Sequence, residues 1–160
     1  MKSSTGVVVV LLVTATAAVT ATTADAAASS PGYVGLGGTR VIKSNETGRC
    51  LDDSAYGLRT FPCNGLVFQK FDVINNPDGT HYLVNRSTGR CVEDASSGIR
   101  AARCNGSYKQ MWYFSNWGSK GWGISNRSTY RCIYSMTFGA HLLGVRACNW
   151  SWRPESFSIR

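Results

Sequence analysis

The sequence predicts an all-β fold assembled from three repeats, and three observations carry that reading. The first is a period of 41 residues: Thr47-Gly48-Arg49-Cys50 returns as Thr88-Gly89-Arg90-Cys91, Cys63-Asn64-Gly65 as Cys104-Asn105-Gly106, and Gln69-Lys70-Phe71 as Gln110-Met111-Trp112. A degenerate third copy keeps the step at Thr129-Tyr130-Arg131-Cys132, then stretches before Cys148-Asn149 and again before Glu155-Ser156-Phe157. The second is that the six cysteines supply one pair to each copy. The third is pattern: short β-branched and aromatic runs alternate with turn residues, and no stretch sustains a helical apolar period. Repeats on this scale stack or close radially, because no single unit buries enough surface to fold alone.

Along the chain, residues 1–28 read as a secretory signal peptide, with Lys2 before the apolar run Val7 to Val13 and small residues leading to Ala24-Asp25-Ala26 or Ala26-Ala27-Ala28. The run is too short for a stable membrane span. The protein is expected to be secreted and extracellular. Ser, Gly and Pro dominate residues 29–38, a flexible leader. The remaining residues 39–160 form one domain by length.

Strands are expected over Thr39–Lys43, Lys70–Ile74, Thr80–Asn85, Met111–Ser115 and Trp122–Ser125. Asn75-Asn76-Pro77-Asp78-Gly79 and Asn116-Trp117-Gly118-Ser119-Lys120-Gly121 supply the residues of hairpin tips. About four strands per copy give about twelve around a pseudo-threefold axis, and three propeller blades are not a usual closure. The compact answer is a β-trefoil: a six-strand barrel capped by three hairpins, with Val41-Ile42 pairing near Phe157–Ile159 to close the ring.

Export makes disulfides the natural fate of the cysteines. An equivalent bond in each copy pairs Cys50 with Cys63, Cys91 with Cys104 and Cys132 with Cys148. Each loop stabilises by roughly 3 kcal/mol in the chain-entropy account. Metal binding is disfavoured, since the chain has two histidines, His81 and His141, and no Cys-x-x-Cys. No cofactor is expected.

Gly48-Arg49-Cys50-Leu51-Asp52, Cys63-Asn64-Gly65 and Gln69-Lys70-Phe71, with their second-copy counterparts, resemble the ricin B-chain type lectin family over residues 40–160. The resemblance implies threefold Gln-x-Trp motifs, here Gln69 with Phe71, Gln110 with Trp112, and Phe157. These are expected in the barrel core, their amides bonded to backbone. It also implies a sugar site in which the acid two residues after the first Cys accepts bonds from adjacent hydroxyls beside a ring and an amide. Carried over, these are Asp52, Phe61 or Tyr56, and Asn64. In the second copy Glu93 and Asn105 remain, but Ser97 and Ala102 leave no ring. In the third, Tyr134 replaces the acid and an inserted Ala140-His141-Leu142 reshapes the rim, although Asn149, Trp150 and Trp152 offer polar and stacking groups.

A pyranose presents hydroxyl pairs and a patch of C–H bonds, so a carboxylate with an aromatic plate is chemically suited to it. Asp53 and Asp94 follow these acids and, on an extended strand, face the other way. They are expected to be structural, which also argues against a paired-carboxylate glycosidase. Arg49, Arg90 and Arg131 recur in every copy and suggest a repeated structural pairing. Arg59 and Arg100 recur only where an acid is kept, and are expected to line the pockets. No nucleophile-elbow, P-loop or complete dinucleotide motif is present, so the chain is read as not an enzyme.

The net charge is +8, and removing the first 28 residues leaves it unchanged because Lys2 and Asp25 cancel. The bases are scattered singly, so no nucleic-acid partner is expected. The expected function is glycan binding by a monomeric lectin. Mannose- or galactose-type sugars, or an anionic cell-wall polymer, are its candidate partners. The alternative is a trefoil protein-interaction module, a protease inhibitor or toxin accessory subunit, acting through a loop such as Phe138 to Leu143.

Overall fold

A computed structural model of the chain describes residues 36–136, 143–149 and 155–160. The expected signal peptide, most of the leader, the Ala140-His141-Leu142 insertion, Trp150, Trp152 and most of the Phe138–Leu143 loop lie outside the described residues. Thirteen strands are described: β1 (Gly38–Arg40), β2 (Ile42–Ser44), β3 (Cys50–Ser54), β4 (Gly57–Phe61), β5 (Phe71–Asn75), β6 (His81–Asn85), β7 (Cys91–Ala95), β8 (Gly98–Ala102), β9 (Trp112–Asn116), β10 (Trp122–Asn126), β11 (Arg131–Ser135), β12 (Leu143–Ala147) and β13 (Phe157–Ile159).

Their pairing is that of a β-trefoil. The run β5-β6-β9-β10-β13-β2 forms the barrel wall, and the hairpins β3–β4, β7–β8 and β11–β12 branch from it as caps. Both hairpin tips read from the sequence join barrel strands, β5 to β6 and β9 to β10.

The expected strand Thr39–Lys43 is broken at Val41, because its two halves serve different neighbours. β1 pairs with β5 while β2 pairs with β13, Ile42 facing Ile159. At the break, Val41 and Arg160 exchange backbone hydrogen bonds of 2.8 and 3.1 Å. The ring therefore closes through this residue. The leader is also shorter than expected, for Gly38 already lies in β1 and Leu36 packs against the core. Arg40 holds this segment by donating to the carbonyls of Leu36 and Gly37.

The core repeats with the sequence. Phe71, Trp112 and Phe157 are fully buried, as are the triplets Ile42, Leu83, Ile124 and Leu51, Val92, Ile133. Each triplet places one residue per copy, so the interior is built in layers around the pseudo-threefold axis. All three expected disulfides are present.

Adjacent repeats are tied by a buried clamp. Asp53 receives a fork from Arg90, Nη2 to Oδ1 at 2.5 Å and Nε to Oδ2 at 3.1 Å, together with the Thr88 hydroxyl. Asp94 receives the same fork from Arg131, with the Thr129 hydroxyl. Both acids are fully buried. At the third junction Ser135 stands where the acid would be: Thr47 still meets its hydroxyl at 2.9 Å, but Arg49 Nε is buried without a partner. The structural role expected of Asp53 and Asp94 and of the repeated arginines is thus a single device, complete at two junctions of three.

The third copy also carries local strain. Gly48 and Gly89 adopt φ of 67° and 65° before the clamp arginine, and Tyr130 must follow at 55°. A side chain there costs about 1–3 kcal/mol. Tyr130→Gly is therefore expected to raise stability by about 1 kcal/mol, less than the full strain because glycine also enriches the unfolded state. A denaturant midpoint that does not rise counts against this account.

Candidate functional site

The hairpin β3–β4 builds the first site. Its register sets Asp52 directly opposite Arg59, and Gly57, at φ 80°, follows the Ala55-Tyr56 turn that reverses the chain between them. Asp52 Oδ1 accepts from Arg59 Nε at 3.0 Å, and Oδ2 accepts from Gln69 Nε2 at 3.4 Å. Gln69 is a buried bridge, since it also donates to the Pro62 carbonyl and accepts the Asn64 N–H at 2.9 Å.

This geometry corrects the expected layout. Asp52 is only 2% exposed and does not stand open as an acceptor. The repeat turns the carboxylate inward because Gln69, buried beside the barrel wall, lies on that side. Arg59 covers the carboxylate and is itself only 14% exposed along its side chain. Its guanidinium carbon lies 4.3 Å from the Phe61 ring centroid and 4.8 Å from that of Tyr56. Tyr56 is 77% exposed. The arginine, expected to line a pocket beside a free acid, is the ion-pair partner of that acid.

The amides serve the local turn as well. Asn64 and Asn105 are exposed, but each closes a turn: Asn64 Oδ1 accepts the Leu66 N–H, and Asn105 Oδ1 the Ser107 N–H, both at 3.0 Å. Their carbonyl oxygens serve the backbone that carries Gln69 and Gln110.

The second copy repeats the arrangement. Glu93, also buried, takes both Nε and Nη2 of Arg100 on Oε1 and Gln110 Nε2 on Oε2 at 2.8 Å. Burial, the largest influence, works to raise the Glu93 pKa. The hydrogen bonds from Arg100 and Gln110, with the charges of Arg100 and Lys109, outweigh it and hold the carboxyl below the usual glutamate range. The longer glutamate pushes its arginine outward, to 57% side-chain exposure. No ring flanks it at Ser97 or Ala102.

In the third copy the charges have moved. Tyr134 occupies the position of Asp52 and faces Gly144, the counterpart of Arg59. A Cβ on Gly144 would come within 2.6 Å of the Tyr134 ring, so only glycine lets the ring lie there. The acid reappears as Glu155 in the place of Gln69, and Arg146, in the place of Phe61, donates to it at 2.7 Å while lying 4.8 Å from the Tyr134 ring. Arginine, acid and ring are kept although every one changes its place in the repeat.

Sequence reasoning did not identify the acid–arginine pairing. The available signal was the recurrence of Arg59 and Arg100 only with Asp52 and Glu93. Among the described residues no cluster of three His, Cys, Asp or Glu is placed to hold a metal. His81 is buried against the Phe114 ring, 5.0 Å between centroids, and desolvation lowers its pKa.

A β-trefoil whose cap hairpins present arginines held by buried acids is thus the class of molecule defined here. No family model and no curated protein matches the chain. Solved structures do. The designed threefold-symmetric protein ThreeFoil aligns with a TM-score of 0.68 at 13% identity, over 76% of this chain and 96% of that one. The BEL β-trefoil aligns at 0.65 and 16% identity, over 78% and 94%. A Polyporus squamosus lectin, in complex with a sialylated influenza-binding epitope, aligns at 0.66 and 15% identity. There the match covers 77% of this chain but only 48% of the lectin. At such identities the likeness shows the fold alone.

Proposed function

We propose that the chain is a secreted, non-catalytic carbohydrate-binding protein that holds glycans at shallow sites on its cap hairpins, acting as a monomer. The observation that carries this reading is the exposed Tyr56 ring, set beside Phe61 and the edge of an Arg59 guanidinium that Asp52 fixes in place. A guanidinium held in one orientation donates to vicinal hydroxyls or to a sugar carboxylate or sulfate, and the exposed Tyr56 ring offers a plate for the C–H face. Solved trefoils of the same shape include proteins named as lectins, which supports the ligand class. The basic net charge favours anionic glycans over neutral ones.

In this reading Asp52 and Glu93 position their arginines rather than touch the sugar, Tyr56 and Phe61 make the strongest site, and Asn64 and Asn105 set the rim. The second site is weaker without a ring. Each shallow site binds weakly, so useful affinity arises when several engage one branched glycan.

The test is glycan-array and calorimetric binding with the mature protein. Arg59→Ala is expected to reduce binding at the first site by about tenfold to a hundredfold, the loss of one charge-assisted hydrogen bond. Tyr56→Ala should weaken it without altering the fold. Binding that survives Arg59→Ala overturns the site assignment. Binding that disappears entirely at high salt, for every ligand, indicates simple adhesion to polyanions instead.

A further inference from the structure

Three clefts of this trefoil are equivalent by the repeat, each lying between a turn that leaves the barrel and a neighbouring chain segment at the barrel rim. In two of them an arginine crosses the gap. Arg127 pairs with Asp78 on the β5–β6 tip and lies 4.1 Å from the Tyr108 ring centroid. Arg86 donates to the Thr39 hydroxyl at 3.2 Å and sits 3.6 Å from Asp72. In the remaining cleft the same position is Asn45, and Ser119 stands where the β5–β6 tip has Asp78.

The short amide does not fill the gap. A half-open pocket of about 390 Å³ remains, lined by Asn45, Glu46, Ser119, Lys120, Ser156 and Ser158. Its wall is preorganised: Asn45 Nδ2 donates to the Lys120 carbonyl at 3.1 Å and to Ser156 Oγ at 3.3 Å, and Asn45 Oδ1 accepts from Ser158 Oγ at 2.5 Å. The β9–β10 tip approaches closely because residue 121 is glycine, at φ 98°. A Cβ there would stand 2.6 Å from the Phe157 carbonyl oxygen.

We infer that this pocket binds a neutral polyhydroxyl molecule the size of one sugar ring. The serine hydroxyls donate and accept, Glu46 only accepts and Lys120 only donates, the mixture that a run of ligand hydroxyls satisfies. Glu46 and Lys120 are exposed and enter no ion pair among the described residues, so both are available and their charges balance. No aromatic ring lines the pocket, which sets it apart from the hairpin sites and disfavours an apolar ligand. The volume falls near the lower end of small-molecule sites, about 300–1,000 Å³. The inference shares with the proposed function only its class of ligand, since Arg59 has no part in the pocket.

The test is titration of isotope-labelled mature protein with glucose, mannose and galactose in turn, following the backbone amide signals of Gly118 to Gly121 and Ser156 to Ser158. At least one sugar should shift these signals saturably. Asn45→Arg, which restores the arginine of the other clefts, and Lys120→Ala should each weaken that response by about tenfold or more. Arg59→Ala should leave it unchanged, even where binding to the hairpin site is lost. Absence of a saturable shift with all three sugars, or a response that persists in Lys120→Ala, overturns the inference. If Asn45→Arg fails to fold, Lys120→Ala decides, because Lys120 is an exposed side chain whose removal leaves the fold intact.

Discussion

Asp53→Ala is expected to destabilise the protein by about 1.5–3 kcal/mol, the loss of charge-assisted hydrogen bonds, because the Arg90 side chain left behind is 36% exposed and can be rehydrated. The carboxylate is sealed inside and accepts from Arg90 through two nitrogens and from the Thr88 hydroxyl. Alanine leaves those donors facing a cavity at the junction of the first two repeats. Asp94→Ala should cost a similar amount, because Arg131 and Thr129 reproduce the clamp at the next junction. The third junction supplies an internal control. Ser135→Asp offers Arg49 Nε the carboxylate it lacks, and a gain of about 0.5–2 kcal/mol is expected, the range of a well-placed stabilising change. Denaturant unfolding with the disulfides intact measures all three. A loss below about 1 kcal/mol for both Asp53→Ala and Asp94→Ala would show that the clamp is a surface ornament, worth no more than an exposed pair.

The sequence carried more of the fold than of the site, and the reason is register. The period of 41 residues marks equivalent positions without any knowledge of contacts, which is why the disulfides, both hairpin tips and the ring closure at Ile42 and Ile159 were legible. Asp52 and Arg59 face one another only if the chain reverses at Ala55-Tyr56. Composition does not fix that reversal, so the acid was read as open when its arginine already covered it. Asn64 also has a turn role that the repeat alone does not reveal, an Asn before Gly whose side-chain carbonyl accepts the N–H two residues on. The partnership of Asp53 with Arg90 spans 37 residues. Both residues recur, but which recurrence meets which depends on how neighbouring repeats dock. The Asn45 pocket was beyond reach for a further reason: it exists because a long side chain is missing from one copy, and a missing plug shows only when the other two are seen in place.

Trp112→Ala is expected to cost about 3–5 kcal/mol, as large-to-small changes at a filled aromatic position do. Trp112 is fully buried at the centre of the barrel, and its indole N–H donates to the Val92 carbonyl at 2.9 Å, so truncation opens a cavity and leaves a buried acceptor unpaired. The repeat again provides the comparison, for Phe71 and Phe157 hold the equivalent places and are equally buried. Phenylalanine therefore already fits this layer twice. Trp112→Phe should lose only the indole bond and part of the ring volume, about 1–3 kcal/mol, and keep the cooperative transition, whereas Trp112→Ala should move the midpoint much further. Equal losses for the two variants would mean that the hydrogen bond to Val92, not the filling of the core, is what this tryptophan contributes. A loss near zero for Trp112→Ala would mean that the three layers do not share a single close-packed interior.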